Sequence, residues 1–253
     1  MSEFLDAAVT AAQAAAEVIS RLYRSNLAVT IKADKSPVTE ADVAAERAIR
    51  AVLEKRFPHH GFYGEETGRT RADAEYLWVV DPIDGTKAFV REYPMFSTQI
   101  ALMRRGELIV GVSSAPVYGE IAHAERGEGA WLDGKRLRVS SVNRIEDSAL
   151  SSGNLKSLAL SSRWTGYGEL VGRLSRTRGY GDFLHYHLLA AGKIEAVVES
   201  DVNVLDIAAL ALLVEEAGGR FTDLDGNPVT LQIDSVLASN GVLHTQLLEA
   251  LKN

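Results

Sequence analysis

Cysteine is absent from this 253-residue chain, proline occurs only six times, and positive charge is in deficit. Without cysteine there is no disulfide, no thiolate nucleophile and no Cys-built zinc or iron–sulfur site. Lys and Arg number 27 against 34 Asp and Glu, a formal net charge of −7. An acidic chain is a poor match for a phosphate backbone, so no nucleic-acid partner is expected. No apolar run reaches the length of a membrane span, and no basic-plus-apolar leader opens the chain. A soluble, cytoplasmic protein with no membrane partner is the expectation. No repeat period is evident. Hydrophobic residues make up 46%, and the length allows a large core in one or two domains.

The most informative stretch is Trp78-Val79-Val80-Asp81-Pro82-Ile83-Asp84-Gly85-Thr86-Lys87. Its β-branched run reads as a buried strand that ends at Asp81, where Pro82 interrupts the ladder. Asp84-Gly85 then reads as a tight turn. Two carboxylates three residues apart at the end of a buried strand are costly unless cations or partners offset them. A second acidic pair, Glu65-Glu66, lies just upstream between Gly64 and Gly68. Together these acids suggest hard oxygen ligands for a divalent ion such as Mg²⁺.

Residues 2–23 carry an amphipathic helical stripe through Leu5, Val9, Ala12, Ile19 and Leu22. The block 26–38 is turn-rich at Lys35-Ser36-Pro37. Thr39-Glu40-Ala41-Asp42 opens a second helix, with Thr39 as N-cap and Asp42 as its N3 acid. Asp42 could equally face a water or metal, and the two roles are compatible. His59-His60 reads as surface loop in preference to a metal site. Phe62–Glu66 reads as a short strand entering an acidic loop, and Arg69–Glu75 as a solvated loop or lid. Strands are expected over 96–103 and 108–117, and a strand pair over 121–132 with a Gly-rich turn at Arg126-Gly127-Glu128-Gly129, followed by a hairpin turn at Asp133-Gly134-Lys135. The polar stretch 140–147 marks a boundary without a long linker. It divides the chain into an N-terminal α+β subdomain, 1–142, with the metal-binding motifs, and a C-terminal α/β subdomain, 143–253.

In the second half, 149–152 reads as a strand, 164–174 as a helical region and 183–191 as a helix. His185 and His187 are two apart and so do not share a helix face, which argues against a zinc pair. Residues 196–199 read as a strand. Asp206 opens a strongly apolar helix that stops at Gly218-Gly219, and it either caps that helix or faces the acidic cleft. Asp223–Asn227 is a turn, too short for an EF-hand loop. A last strand and helix are expected over 235–238 and 242–251.

On the residues alone, Glu65, Asp81 and Asp84 are candidates for one negative cleft, with Asp206 the best acid from the second half to complete it. The Ile83 carbonyl is a further candidate ligand. Gly85 and Thr86 would direct amides at a phosphate if a helix starts there. The chain resembles the inositol-monophosphatase-like superfamily of metal-dependent phosphomonoesterases over roughly residues 5–250. The resemblance is carried by Gly64-Glu65-Glu66, by Asp81-Pro82-Ile83-Asp84-Gly85-Thr86 and by Leu205-Asp206-Ile207-Ala208-Ala209. Lys32, Asp34, Pro37-Val38-Thr39 and Asp42 resemble the N-terminal site segment. Leu205 departs from the pattern, which has an aromatic residue before that aspartate.

The resemblance implies a layered α/β/α/β/α sandwich with the active site between its halves. It implies Glu65, Asp81, Asp84, Asp206 and the Ile83 carbonyl as metal ligands, with Mg²⁺ the expected cofactor and Mn²⁺ able to occupy the same oxygen site. Gly85 and Thr86 are implied in phosphate contact, and Asp42, Thr86 and Glu65 in supporting the attacking water. A small phosphorylated metabolite and a homodimer are the implied partners. Arg178-Gly179-Tyr180-Gly181-Asp182, Leu188–Gly192 and Glu199–Asn203 look most like the histidinol-phosphate phosphatase branch. There Asp182 and Glu199 would attract the cationic amine or imidazole of L-histidinol phosphate. The bland alternatives are an N-cap at Asp182 and a solvated loop at Glu199. Inositol-1-monophosphatase is the runner-up, then 3′-phosphoadenosine 5′-phosphate phosphatase, with a fructose bisphosphatase below both. A non-catalytic metal- or ligand-binding protein is the alternative of a different class.

Overall fold

The computed structural model describes residues 1–25, 29–31 and 37–252. Lys32, Asp34 and the Lys35-Ser36 part of the expected turn lie outside the described residues. The chain opens with α1 (Glu3–Leu22), begun where the Ser2 hydroxyl accepts the Leu5 N–H at 3.2 Å. The short β1 (Val29–Ile31) and β2 (Pro37–Thr39) pair antiparallel and lead into α2 (Glu40–Arg56). There follow β3 (Gly61–Gly64), β4 (Gly68–Thr70), β5 (Tyr76–Asp84), a short α3 (Thr86–Val90), β6 (Ser97–Arg104), β7 (Glu107–Ala115), β8 (Glu120–Glu125), β9 (Gly129–Leu132) and β10 (Lys135–Arg136). These strands form one eight-stranded sheet in the order β10-β9-β8-β7-β6-β5-β3-β4. Only the β3–β5 pairing in it is parallel.

The second sheet uses β11 (Ala149–Ser152), β12 (Arg176–Arg178), β13 (Ala196–Ser200), β14 (Arg220–Thr222) and β15 (Ser235–Ser239), in the order β12-β11-β13-β15-β14. Its helices are α4 (Lys156–Ala159), α5 (Arg163–Arg173), α6 (Asp182–Ala190), α7 (Val204–Glu216) and α8 (His244–Ala250).

Alternation along the strands sorts the apolar residues into layers. In β5, Trp78 and Val80 face α1 and α2, while Leu77 and Val79 face the opposite core with α6 and α7. In β13, Val197 faces that same central core, whereas Ala196 and Val198 face α5 and α8. The result is α1/α2, sheet, α6/α7, sheet, α5/α8: the expected α/β/α/β/α sandwich. Because α7 lies between two sheets, it is apolar almost all round, with ten buried residues from Val204 to Val214. It comes so close to β7 that a Cβ on Gly111 would stand 2.7 Å from the Ala209 carbonyl. Among the described residues, no helix is long and apolar enough to cross a membrane.

Several local expectations are corrected. Pro82 does not end its strand: β5 runs on to Asp84, with a bulge between Asp81, opposite Gln99, and Asp84, opposite Ser97. The bulge absorbs the missing N–H, as bulges do for proline in a sheet. Gly85 makes the turn out of β5 in a left-handed conformation, at φ 91°, and doubles as the N-cap of α3. The start of the expected lid, Arg69-Thr70, belongs to the edge strand β4, which pairs with β3. His59 and His60 lie in the turn after α2 as expected, but the half-buried His60 ring stacks between Phe57 and Tyr76, each centroid 4.7 Å away, and burial lowers its pKa.

Candidate metal centre and active site

Three elements deliver carboxylates to one place. Asp81 and Asp84 leave the end of β5 on either side of the bulge, and Asp206 stands in the first turn of α7. One oxygen from each lies within 4.8 Å of the others. Asp206 does not cap its helix by itself. Asn203 is the N-cap, and Asp206 is the reciprocal N3 acid that accepts the Asn203 N–H at 3.2 Å. That bond uses one oxygen and orients the carboxyl towards β5. Glu65 follows β3, and its N–H donates to the Val80 carbonyl at 3.2 Å, one residue before Asp81. Its charge is felt at Asp42, Asp81, Asp84 and Asp206.

Burial and mutual repulsion act together on these acids. Burial first, then the charges of Glu65, Asp206 and Asp84, pushes Asp81 well above the usual carboxylate range. Burial, with Asp182, Asp206 and Glu199 nearby, does the same to Asp84. Burial pushes Asp206 up to about 7, against the Asn203 N–H that favours its anion. Without a cation, the cluster can stay compact only by holding protons. The donor set is all hard oxygen and its charges are closer than they tolerate alone, which fits a divalent ion of the Mg²⁺ or Mn²⁺ kind.

Beside the cluster stands a hydroxyl–carboxylate pair. Thr86 Oγ is 3.2 Å from Asp42 Oδ1 and 3.0 Å from the Ile83 carbonyl, both acceptors for its single proton. Asp42 is fully buried, accepts the Thr39 N–H and hydroxyl at 2.8 and 2.7 Å, and has its pKa raised, chiefly by burial. Both sequence readings of Asp42 therefore coexist: it completes the capping box of α2 and touches Thr86. Gly85 has no freedom to carry a side chain, since a Cβ there would meet the Met95 carbonyl at 2.5 Å.

A second group of side chains lies against the first. A small cavity of about 30 Å³ joins Asp84 and Asp206 to Asp182, Tyr186 and Glu199. Asp182 is the first residue of α6 at a strained φ of 43°, with Gly181 as N-cap, so the capping alternative is set aside. Burial and the Glu199 charge raise its pKa. Glu199 is not in a solvated loop but is buried in β13. One oxygen accepts the Tyr186 hydroxyl at 2.5 Å and meets His185 Nε2 at 3.1 Å, and the other accepts the Asn154 N–H at 3.3 Å. Burial opposes its charge, but His185 and these bonds hold its pKa below the usual value. Gly153 makes room for it: a Cβ there would fall 1.5 Å from Glu199 Oε1. His187 turns elsewhere, to Ser113 at 2.9 Å, so the two histidines do not form a metal pair.

The structure thus gathers Asp42, Glu65, Asp81, Ile83, Asp84, Gly85, Thr86, Asp182, Glu199 and Asp206 around one region. Sequence reasoning missed Tyr186, Asn154, the role of His185, and Glu46. Glu46 is a fully buried acid whose two oxygens accept the Glu66 and Thr67 N–H groups at 2.7 and 2.9 Å. The only signal was helical: Glu46 follows Asp42 by one turn.

Comparison with known proteins gives a consistent picture. A model of the inositol monophosphatase family matches residues 1–253. The chain is 38% identical to a histidinol-phosphatase of Streptomyces coelicolor, over 98% of this chain and 97% of the relative. It is 36% identical to an inositol-1-monophosphatase of Mesorhizobium japonicum, over 99% and 97%. Among solved structures, the extragenic suppressor protein suhB of Bartonella henselae superposes with a TM-score of 0.91 at 32% identity, covering 100% of this chain and 99% of that one.

Proposed function

The chain belongs to the inositol monophosphatase family, and from that premise we propose that it hydrolyses the phosphate monoester of a small polar alcohol with Mg²⁺ as cofactor. The observation that carries this reading is the convergence of Asp81, Asp84 and Asp206 to within 4.8 Å. Acids so close, with Asp81 buried and Asp84 and Asp206 half-buried, favour a compensating cation once ionised. Those three, with Glu65 and the Ile83 carbonyl, would hold Mg²⁺. Bound there, Mg²⁺ supplies Lewis-acid polarisation of the ester and neutralises the charge of the departing group.

The chain's own residues do the rest. With its proton given to Asp42 or to the Ile83 carbonyl, the Thr86 oxygen is left as an acceptor that orients the attacking water. Asp42, whose burial raises its affinity for a proton, can take up the one passed through that hydroxyl. Gly85 and Thr86 are assigned to the phosphate oxygens. Asp182 and Glu199 are assigned to the alcohol. A homodimer and a division into subdomains 1–142 and 143–253 go with the same reading.

Within this class the finer assignment is L-histidinol phosphate. Its support is the second acidic wall: Glu199 is held ionised beside Asp182, a field that attracts a cationic amine or imidazole. Inositol 1-phosphate is the second reading, and the comparisons back it more broadly, because the family model spanning the whole chain carries that name. The acceptors on Asp182 and Glu199 also suit sugar-like hydroxyls. The test is kcat/KM, with Mg²⁺, for histidinol phosphate, inositol 1-phosphate and 3′-phosphoadenosine 5′-phosphate. Preference for histidinol phosphate supports the finer assignment, and equal or greater activity on another substrate overturns it. No Mg²⁺-dependent phosphate release from any of them leaves a binding protein instead. Asp84→Asn, measured alongside, is expected to lose Mg²⁺ binding and turnover together; full turnover without metal binding refutes the mechanism.

A further inference from the structure

Helix α2 presents three polar side chains one turn apart on a single face: Asp42, Glu46 and Arg50. Each reaches a different part of the site's frame. Asp42 meets the Thr86 hydroxyl after β5. Glu46 receives the N–H groups of Glu66 and Thr67 at 2.7 and 2.9 Å. Arg50 donates to the Thr67 and Thr70 hydroxyls at 3.2 and 3.3 Å. The chain around Glu65 is therefore fastened on both sides: ahead of it by the Glu65 N–H bond to Val80, behind it by Glu46.

Glu46 is 0% exposed, and no cation of the chain forms an ion pair with it among the described contacts. A buried carboxylate with no compensation is strongly unfavourable, and here two backbone amides supply it. The fit is tight. A Cβ on Gly64 would stand 2.5 Å from both Cδ and Oε2 of Glu46, so the exit of β3 lies directly on the carboxyl. Among the described contacts Glu46 bonds to the Glu66 and Thr67 amides and not to Asp81, Asp84 or Asp206, so its influence on the metal centre runs through the 64–67 turn.

We propose that Glu46 is a positioning residue: by clamping the Glu66 and Thr67 amides it sets where Glu65 stands relative to Asp81, Asp84 and Asp206, and hence how tightly the cleft holds a divalent ion. This rests on the metal reading above. Because Asp42 and Glu46 share one helix face, α2 also fixes the spacing between the Glu65 turn and Thr86. Partners that orient ligands from behind matter in metal sites to the extent of about 10–100-fold in affinity.

The test uses full-length Glu46→Gln and Gly64→Ala proteins. In the first, an amide NH₂ replaces one acceptor and faces a backbone N–H. In the second, a methyl group crowds the Glu46 carboxyl, and the Phe62 ring 2.6 Å away, while Glu46 itself stays. Two quantities are measured: amide hydrogen exchange at residues 64–68 without metal, and Mg²⁺ and Mn²⁺ affinity by calorimetry. The expected result is faster exchange at Glu66 and Thr67 in both variants, with affinity about tenfold weaker. Substrate KM at saturating Mg²⁺ should stay near the wild-type value, a split that general loosening of the fold does not give. If Glu46→Gln fails to fold, Gly64→Ala alone decides. Unchanged exchange overturns the clamp, and faster exchange with unchanged affinity overturns its positioning role. A wild-type protein that binds neither ion refutes the metal reading itself and the positioning role with it, whatever the exchange rates.

Discussion

Asp206→Asn should make the cation-free protein more stable, increasingly so as pH rises, while abolishing turnover. The asparagine keeps the shape and keeps an oxygen to accept the Asn203 N–H, so the capping box of α7 survives. Its amide nitrogen can donate to the neighbouring aspartates, where Asp206 could only repel them once ionised. Burial moves Asp206 from 3.8 to about 7 in the folded chain. The folded state thus binds the proton more tightly than the unfolded state does. Its stability is full below about pH 4, falls as pH rises towards 7, and is flat above that. At about 1.4 kcal/mol per pKa unit, the loss at pH 8 is on the order of 4 kcal/mol, and at pH 4 it is below about 1 kcal/mol. Asparagine, which does not ionise, is spared that loss. For a chain of this size roughly 2–4 °C accompanies each kcal/mol, so a gain on the order of 10 °C is expected at pH 8 and almost none at pH 4. The assay is thermal and urea unfolding of both proteins in excess chelator at pH 4, 5, 6, 7 and 8. Added Mg²⁺ should then stabilise the wild type and not the variant. A variant no more stable than wild type at pH 8, or a difference independent of pH, would refute the electrostatic account of the cluster.

Two further changes probe the groups around it. Thr86→Val removes the hydroxyl shared between Asp42 and the Ile83 carbonyl. It should lower kcat on the order of 10²-fold with little change in melting temperature, and an unchanged kcat would remove Thr86 from the reaction. Tyr186→Phe takes away the shortest of the bonds that hold Glu199. It should cost about 1–3 kcal/mol of stability by urea unfolding. It should also lower kcat/KM for histidinol phosphate relative to inositol 1-phosphate; an unchanged ratio would show that Glu199 does not select the alcohol.

Much of the frame was legible because it rests on local rules. The unbroken apolar run Trp78-Val79-Val80 announces a buried strand, and Thr39 with Asp42 announces a helix start. Four acids and a Gly-Thr pair suffice to suggest a metal and a phosphate. Local rules also misled. Pro82 is tolerated because a bulge removes the need for its N–H, and the half-buried His60 ring is sandwiched by Phe57 and Tyr76, which are 19 residues apart in the chain. Neither compensation is visible in a short window.

What the sequence determined by itself is the set of chemical groups: hard oxygen donors, no thiols, and a turn that only glycine can make at Gly85. What the tertiary structure decided is their meeting. Asp206 comes within 4.8 Å of Asp81 and Asp84 only because α7 is pressed between two sheets against Gly111. Glu199, which read equally well as a solvated loop, becomes a buried anion because His185 and Tyr186 of α6 close over it. Glu46 looked like any helical acid until the turn after β3 was laid on it. Contacts between residues tens of positions apart depend on packing of layers, and spacing along the chain does not encode that packing one residue at a time.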